Sequence, residues 1–405
     1  MRSEPEIDRA PGRRCRVCRG PAEVLLDLGP QPFCNRFQSG EGQPDDAHPL
    51  VQGQCAACGT IQLIDPAPVA ALAPRFDWIR YKEEGRHLQR AAEVVAGLPG
   101  LDARSRICGV TWNDDDALAA LAASGLRYTR RLDPDKDLGV PSGGLESFQA
   151  ALNPEAARAI VRRDGPADLV VARYILEHAH DPAVFLHALA ELVAPAGYAW
   201  IEVPDCTPAL ETCDYTTLWE EHTLYFTPAT FRDCLVRNGF SAVYFELYPY
   251  THENSLVALV TPNRAAPPAP RAPEREWGRG RDFARALPER RGQWARYCSD
   301  ARRGNGKLAM FGAGHLACTF INVMGLKDEI AFVVDDHPAK RGLRMPGSGL
   351  PILPSAALID EGVSLCLTSL SPESEEKATR NQAPFLARGG RFTSIFPASK
   401  LGLQF

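Results

Sequence analysis

Residues able to do chemistry cluster at three places in this 405-residue chain. Residues 218–226 read Leu-Trp-Glu-Glu-His-Thr-Leu-Tyr-Phe, which sets Glu221 beside His222 among Trp219, Tyr225 and Phe226. A carboxylate next to an imidazole, walled by apolar rings that limit water, can hold a base whose pKa lies near the working pH. The same pattern also suits a half-buried structural histidine, because perturbed pairs mark sites only statistically. The second place is a pair of Cys-x-x-Cys knuckles, Cys15/Cys18 and Cys55/Cys58, with Gly20 and Gly59 just beyond them. Two intervening residues let both thiolates of a knuckle reach one ion. Four thiolates suit tetrahedral Zn²⁺ in a closed, structural site. A thioredoxin-like redox pair, which would need a βαβ context missing here, and coincidence are the alternatives. The third place is Gly312-x-Gly314, followed about 20 residues later by Asp335. That pattern, without its third glycine, suits either dinucleotide binding or a turn kept for packing.

Composition narrows the classes. An apolar fraction of 45% and a charged fraction of 23% are those of a soluble globular protein, and the length predicts two or three domains. A net charge of −5 gives no basic footprint for nucleic acid. No apolar run approaches the roughly 20 residues of a membrane helix. The polar, acidic N-terminus has no signal-peptide core, which predicts a cytoplasmic protein. Of twelve cysteines, four lie in the knuckles; in a reducing compartment that pattern favours a metal site and buried thiols over disulfides.

The elements that must position these residues follow from periodicity. Residues 1–100 are predicted to be a small zinc-stapled domain with a helical connector at 83–98, too small to fold on its core alone. Its aromatic run at 76–81 contributes Tyr81 as a candidate site residue. Residues 101–262 read as a Rossmann-like unit. Strands are expected at 106–111, 126–132, 167–172 and 197–203, with helices at 114–124, 182–192 and 228–239 and a closing antiparallel pair at 242–247 and 255–261. Asp133 ends the second strand where such folds place a carboxylate for a ribose diol. Residues 263–280 form a proline-rich linker. Residues 281–405 form a second α/β unit, with a helix near 279–303, a strand from Lys307 into the glycine turn, a helix at 317–324 and a strand at 330–335.

Parallel strands with helical crossovers and a terminal hairpin resemble class I methyltransferases, which bind S-adenosylmethionine. The whole arrangement is similar to the zinc-containing sugar C-methyltransferases, which act at carbon 3 of nucleotide-linked 4-keto deoxysugars. The family's Tyr-His-Glu-His-x-x-Tyr-Phe-Ser corresponds to Trp219-Glu220-Glu221-His222-Thr223-Leu224-Tyr225-Phe226-Thr227, its Asn-Val-Leu-Ala-His to Tyr174-Ile175-Leu176-Glu177-His178, and its Gly-Gly-Ser-Leu to Glu253-Asn254-Ser255-Leu256. Its Val-Val-Asp-x-x-Pro-x-Lys-x-Gly corresponds to Val333-Val-Asp-Asp-His-Pro-Ala-Lys-Arg-Gly342.

The resemblance implies an α/β protein with an N-terminal zinc domain, a central methyltransferase domain and a C-terminal Rossmann-like domain. It implies His222 as general base, Glu221 orienting it and His178 at the enolate oxygen. Cofactor contacts are expected from Thr111, Trp112, Asn113, Asp133 and Arg173. Acceptor contacts are expected from Asn254, Ser255, Gly312, Gly314, His315, Asp335, Lys340 and Arg341. The expected partner is a small molecule, by default a nucleotide sugar, with neither nucleic acid nor membrane. The chain also departs from the family. Thr111 and Asp115 replace glycines of the cofactor loop, so the methionine end of the donor should be displaced or re-posed. Phe76-Asp-Trp-Ile-Arg-Tyr81 replaces a Tyr-Pro-Tyr-x-Ser-Ser segment. Trp219 replaces Tyr, Glu220 replaces His, and His315 replaces a small residue. O- or N-methylation, another transformation on the same scaffold, and a non-catalytic scaffold are the alternatives.

Overall fold

The computed structural model describes residues 13–76, 85–140, 144–263, 274–303, 306–403 and 405. Three sheets organise them. The central sheet runs, in spatial order, Tyr128–Arg131, Arg106–Gly109, Ala167–Arg173, Val193–Asp205, Asn254–Pro262 and Phe240–Tyr248. The first four strands are parallel, and the last two form an antiparallel hairpin. Ala167–Arg173 is buried on both faces: Leu169 and Val171 enter one core while Val170 and Ala172 enter another. That explains the apolar run Leu169–Ala172 within it.

Several helices start alike, with a polar cap before proline. Asp133, Asn153, Asp181 and Thr227 each accept backbone N–H bonds at the mouths of Pro134–Leu138, Pro154–Asp164, Pro182–Leu192 and Pro228–Arg237. Proline at the first helical position has no N–H to leave unpaired, and its fixed φ suits the helix.

The C-terminal sheet is wholly parallel, in the order Ile352–Leu353, Phe332–Val334, Lys307–Phe311, Val363–Thr368 and Arg391–Ser394. The helix leading into it spans Glu274–Arg302, so residues 274–280 of the expected linker are helical. Two early carboxylates, Glu274 and Glu276, suit a helix N-terminus. Gly280 lets this helix lie against the zinc sheet, since a Cβ there would come within 2.6 Å of Gln54 Oε1.

The N-terminal sheet comprises Ala22–Pro32, Ala47–Cys55 and Ile61–Ile64, all antiparallel. Its fourth strand, Leu224–Tyr225, comes from the middle of the chain and pairs with Ile61 and Gln62. Because side chains alternate across a strand, Leu224 faces the methyltransferase core and Tyr225 the core shared with the C-terminal unit. The small sheet is therefore the middle layer, with a folding partner on each side. No helix among the described residues is long and apolar enough to cross a membrane.

Candidate functional site

The segment carrying His222 is a loop with two anchors. His222 N–H donates to the Trp219 carbonyl at 3.2 Å, and the Tyr225 hydroxyl meets both the N–H and the carbonyl of Trp219 at 3.2 Å. Leu63 N–H donates to the Thr223 carbonyl, and Thr223 N–H to the Glu177 carbonyl, at 2.9 and 2.8 Å. Thr223 Oγ1 donates to the Ala179 carbonyl at 2.7 Å. One threonine thus joins the zinc sheet to the turn Leu176–His178 at the end of Ala167–Arg173.

These anchors bring the expected catalytic groups together. The His178 and His222 rings are 4.7 Å apart and nearly perpendicular. Trp219 lies 4.8 Å from His222 and stacks on His315 of the C-terminal unit at 4.3 Å. Burial, with His178 and His315 adding unfavourable charge, holds His222 well below the ordinary histidine pKa, so the ring stays unprotonated. His315 is pushed down to about 4 by burial and by Lys340. Glu221 accepts from Asn35 Nδ2 at 2.8 Å. Burial, then the charges of Glu146 and Glu220, raise its pKa well above the carboxylate range. Glu220, which accepts Cys34 N–H at 2.6 Å, is pushed up to about 7 by burial. Glu146, absent from the sequence reading, accepts from His178 Nδ1 at 2.8 Å. Tyr81 lies outside the described residues.

The loop after Arg106–Gly109 shows how threonine replaces glycine. Thr111 sits at φ −129°, an ordinary extended conformation, and its hydroxyl caps the 3₁₀ turn Trp112–Asp114. Asp114 is fully buried and accepts Val110, Thr111 and Arg173 N–H at 2.7, 2.7 and 2.8 Å. Burial still pushes its carboxyl up to about 7. Asp115 points outward and pairs with Arg131 at 3.1 Å. Asn113 Nδ2 donates to the Tyr174 carbonyl at 3.2 Å. Arg173 donates to both Glu202 oxygens and to the Asn113 carbonyl, and His87 Nε2 lies 3.0 Å from Glu202. Asp133 caps the next helix through one oxygen and is about half exposed. Asp114→Ala would strand three buried N–H groups. It should cost about 3 kcal/mol of stability and weaken cofactor binding, to be read by thermal denaturation and calorimetry.

Other expected acceptor residues have structural partners. Asn254 donates to Asp205 at 3.1 Å, and buried Ser255 bonds the Tyr174 hydroxyl. The latter contact supports Tyr174, which holds φ +49° next to Arg173. Gly312 takes φ +100°, and a Cβ there would come within 2.8 Å of Ser369 and Leu370. Gly314 opens the helix His315–Met324 without a side-chain cap. Asp335 accepts Ala313 N–H and Lys340 Nζ through one oxygen and His337 N–H through the other. Both oxygens are occupied, which favours the packing account of this turn over a dinucleotide ribose site. Arg341 is exposed.

The four cysteines fit zinc. Their sulfurs lie within 4.8 Å of one another, with Cys15–Cys58 at 3.6 Å and Cys18–Cys55 at 3.3 Å. A tetrahedron with Zn–S near 2.3 Å has edges of about 3.8 Å. Gly20 N–H donates to Cys18 Sγ, and Ala57 N–H to Cys55 Sγ. Around this knot, Arg16 donates to the His180 carbonyl at 2.8 Å and Arg19 pairs with Asp181.

Comparison with known proteins agrees with this arrangement. Residues 15–72 match a zinc binding domain, 86–244 a methyltransferase domain and 275–397 the C-methyltransferase C-terminal domain. C-methyltransferase NovU from Streptomyces niveus is 27% identical over 413 residues, 96% of each chain. Taken together, these three domains are those of a C-methyltransferase. Among solved structures, a chain of the Haloferax volcanii complex between the Trm112 methyltransferase activator and a methyltransferase aligns at 15% identity. That alignment has a TM-score of 0.30 and covers 44% of this chain and 91% of that one. The Burkholderia thailandensis 1,6-didemethyltoxoflavin-N1-methyltransferase aligns at 15% identity and TM-score 0.28, over 43% of this chain and 78% of that one.

This C-methyltransferase family member is an S-adenosylmethionine-dependent enzyme with a structural zinc. Its residues leave room for the methyl donor: the Asp133 carboxylate is half exposed, and Asp115 is turned away from the loop. Thr111, which stands where the family has glycine, caps that loop.

Proposed function

We propose that the enzyme methylates a carbon next to a ketone in a small biosynthetic intermediate, a nucleotide-linked deoxysugar being the acceptor class. The observation carrying this reading is His222, an imidazole kept unprotonated by its surroundings and flanked by His178 and Trp219. Bound S-adenosylmethionine supplies an electrophilic methyl group, with Asp133, Asn113 and the Thr111–Trp112 turn holding it. His222 takes the proton from the carbon beside the ketone, and His178 stabilises the enolate oxygen that forms. Glu221, whose pKa is raised by burial and by its carboxylate neighbours, accepts a hydrogen bond from Asn35 in the same enclosure. A C–H next to a carbonyl is acidic enough for a neutral imidazole to serve as its base. A hydroxyl or amine acceptor would make less use of it. Arg341, Lys340 and the first turn of His315–Met324 are the groups assigned to the nucleotide phosphates.

The test is incubation with S-adenosylmethionine and a panel of nucleotide-linked 4-keto deoxysugars in D₂O. Deuterium should enter the carbon beside the ketone, and S-adenosylhomocysteine should form with one new C–CH₃ bond. Donor binding with neither exchange nor C-methylation, while hydroxyl acceptors are methylated, would overturn the assignment.

A further inference from the structure

We propose that His87 is a positioning residue for the methyl donor, acting through Glu202 and Arg173 on the loop that carries Asn113. All three side chains are buried, and each link between them is short. The Tyr250 hydroxyl and His87 Nδ1 are 2.6 Å apart, and the same hydroxyl accepts His87 N–H at 3.1 Å. His87 Nε2 lies 3.0 Å from Glu202 Oε1. Glu202 accepts Arg173 Nε at 2.6 Å and Nη2 at 3.1 Å, and Arg173 Nη1 donates to the Asn113 carbonyl at 2.7 Å. With Nε2 protonated toward the carboxylate, Nδ1 is left to accept from the Tyr250 hydroxyl, so one tautomer suits both contacts. Burial opposes the Glu202 charge, but Arg173 and His87 outweigh it and hold the carboxyl down at about 2.

The fold places these groups where ligands bind. Arg173 and Glu202 are paired neighbours towards the C-terminal ends of adjacent parallel strands, the edge at which open α/β sheets take ligands. His87 precedes the helix Leu88–Ala96 without capping it through its side chain. Its ring stacks on Tyr248 instead, at 4.6 Å. The helix fixes that ring by burying Leu88, Ala91, Ala92 and Val95 in one core with Leu169, Val171 and Trp200. A buried ion pair adds little to stability beyond what well-packed apolar side chains would, so the core alone does not account for three polar side chains here. What they hold is the loop. Arg173 reaches it twice, through its guanidinium at the Asn113 carbonyl and through its N–H at Asp114, 2.8 Å away.

The role of His87 rests on the donor being held by Asn113 and the Thr111–Trp112 turn, and the test separates the two. In zinc-loaded full-length protein, calorimetry with S-adenosylmethionine should show His87→Phe, which keeps a ring to stack on Tyr248, weakening donor binding about tenfold. Tyr250→Phe, which removes one hydroxyl, should weaken it about threefold and decides the matter where His87→Phe does not fold. With a turned-over acceptor, the donor KM should rise in step while kcat changes less than about threefold. Val95→Ala, which loosens the same helix two turns away from His87, should lower the melting temperature and leave donor affinity unchanged. Asn113→Ala should weaken the donor at least as much as His87→Phe; unchanged affinity there would refute the placing of the donor, and the role of His87 with it. Two results would overturn the role of His87 alone. One is loss of affinity in Asn113→Ala with wild-type affinity in folded His87→Phe or, failing that variant, in Tyr250→Phe. The other is equal loss in Val95→Ala and His87→Phe.

Discussion

Replacing His222 with alanine is expected to lower C-methylation at least about 1,000-fold, within the range of general-base catalysis, while S-adenosylmethionine binding stays near wild type. The separation follows from position. The groups assigned to the donor sit at the ends of Arg106–Gly109 and Tyr128–Arg131, whereas His222 sits on the loop clamped to the zinc sheet. Exchange of the acceptor proton into solvent should vanish with turnover, because both need the same base.

The wild-type pH profile carries the sign. Catalysis needs the unprotonated imidazole, and burial with two neighbouring histidines lowers its pKa. Activity should therefore persist below the ordinary histidine pKa near 6.5 and fall only once pH drops through the lowered value. Near-wild-type turnover in His222→Ala would remove His222 from the role of base.

The second large effect concerns the metal. Structural zinc in small domains supplies on the order of 10 kcal/mol of folding free energy, more than such a sheet can recover from its own core. Stripping zinc, or Cys55→Ser, should unfold the Ala22–Pro32, Ala47–Cys55 and Ile61–Ile64 strands. That removes the partner of Leu224–Tyr225, the N–H from Leu63 to Thr223, and Asn35, which contacts Glu221. Turnover should fall more than about 100-fold even though no zinc ligand touches the acceptor. Metal content, near-UV circular dichroism and turnover measured together give the check. Full activity in zinc-free protein would show that the loop holds its shape unaided.

Some of this was legible in the sequence because its signals are local. Each cysteine knuckle announces a ligand pair within four residues. The helix Pro182–Leu192 carries its cap and its proline in adjacent letters. The strand Ala167–Arg173 reads as buried because nearly every residue in it is apolar. What escaped notice depends on distant pairings. Leu224–Tyr225 is two residues long and has no periodicity to detect; it is a strand only because Ile61 and Gln62 lie beside it. Glu146 sits in a stretch without a motif, 32 residues from the histidine it contacts. The helix Leu145–Ala151 has no side-chain cap to announce it, whereas Pro154–Asp164 carries its signal in the adjacent letters Asn153-Pro154. The φ of Thr111 and its capping hydroxyl are properties of the folded turn, which the letters alone do not carry.

Two departures from the family pattern look unrelated in sequence and touch in space. Trp219 and His315 stack at 4.3 Å with their planes 21° apart, joining the loop that carries His222 to the glycine turn of the C-terminal unit. Each is a single odd letter when read along the chain. Together they are one contact, and its ring area lies next to His222.

A strand borrowed from residues 224–225 to finish a sheet begun near residue 22 makes the three units poor candidates for exchange as cassettes. Swapping the first hundred residues for those of a relative would cut across hydrogen bonds to His180, Glu220, Glu221 and Thr223. Acceptor preference in such a protein should drift through paired changes on both sides of a seam, and grafting one module alone should yield a soluble but silent hybrid.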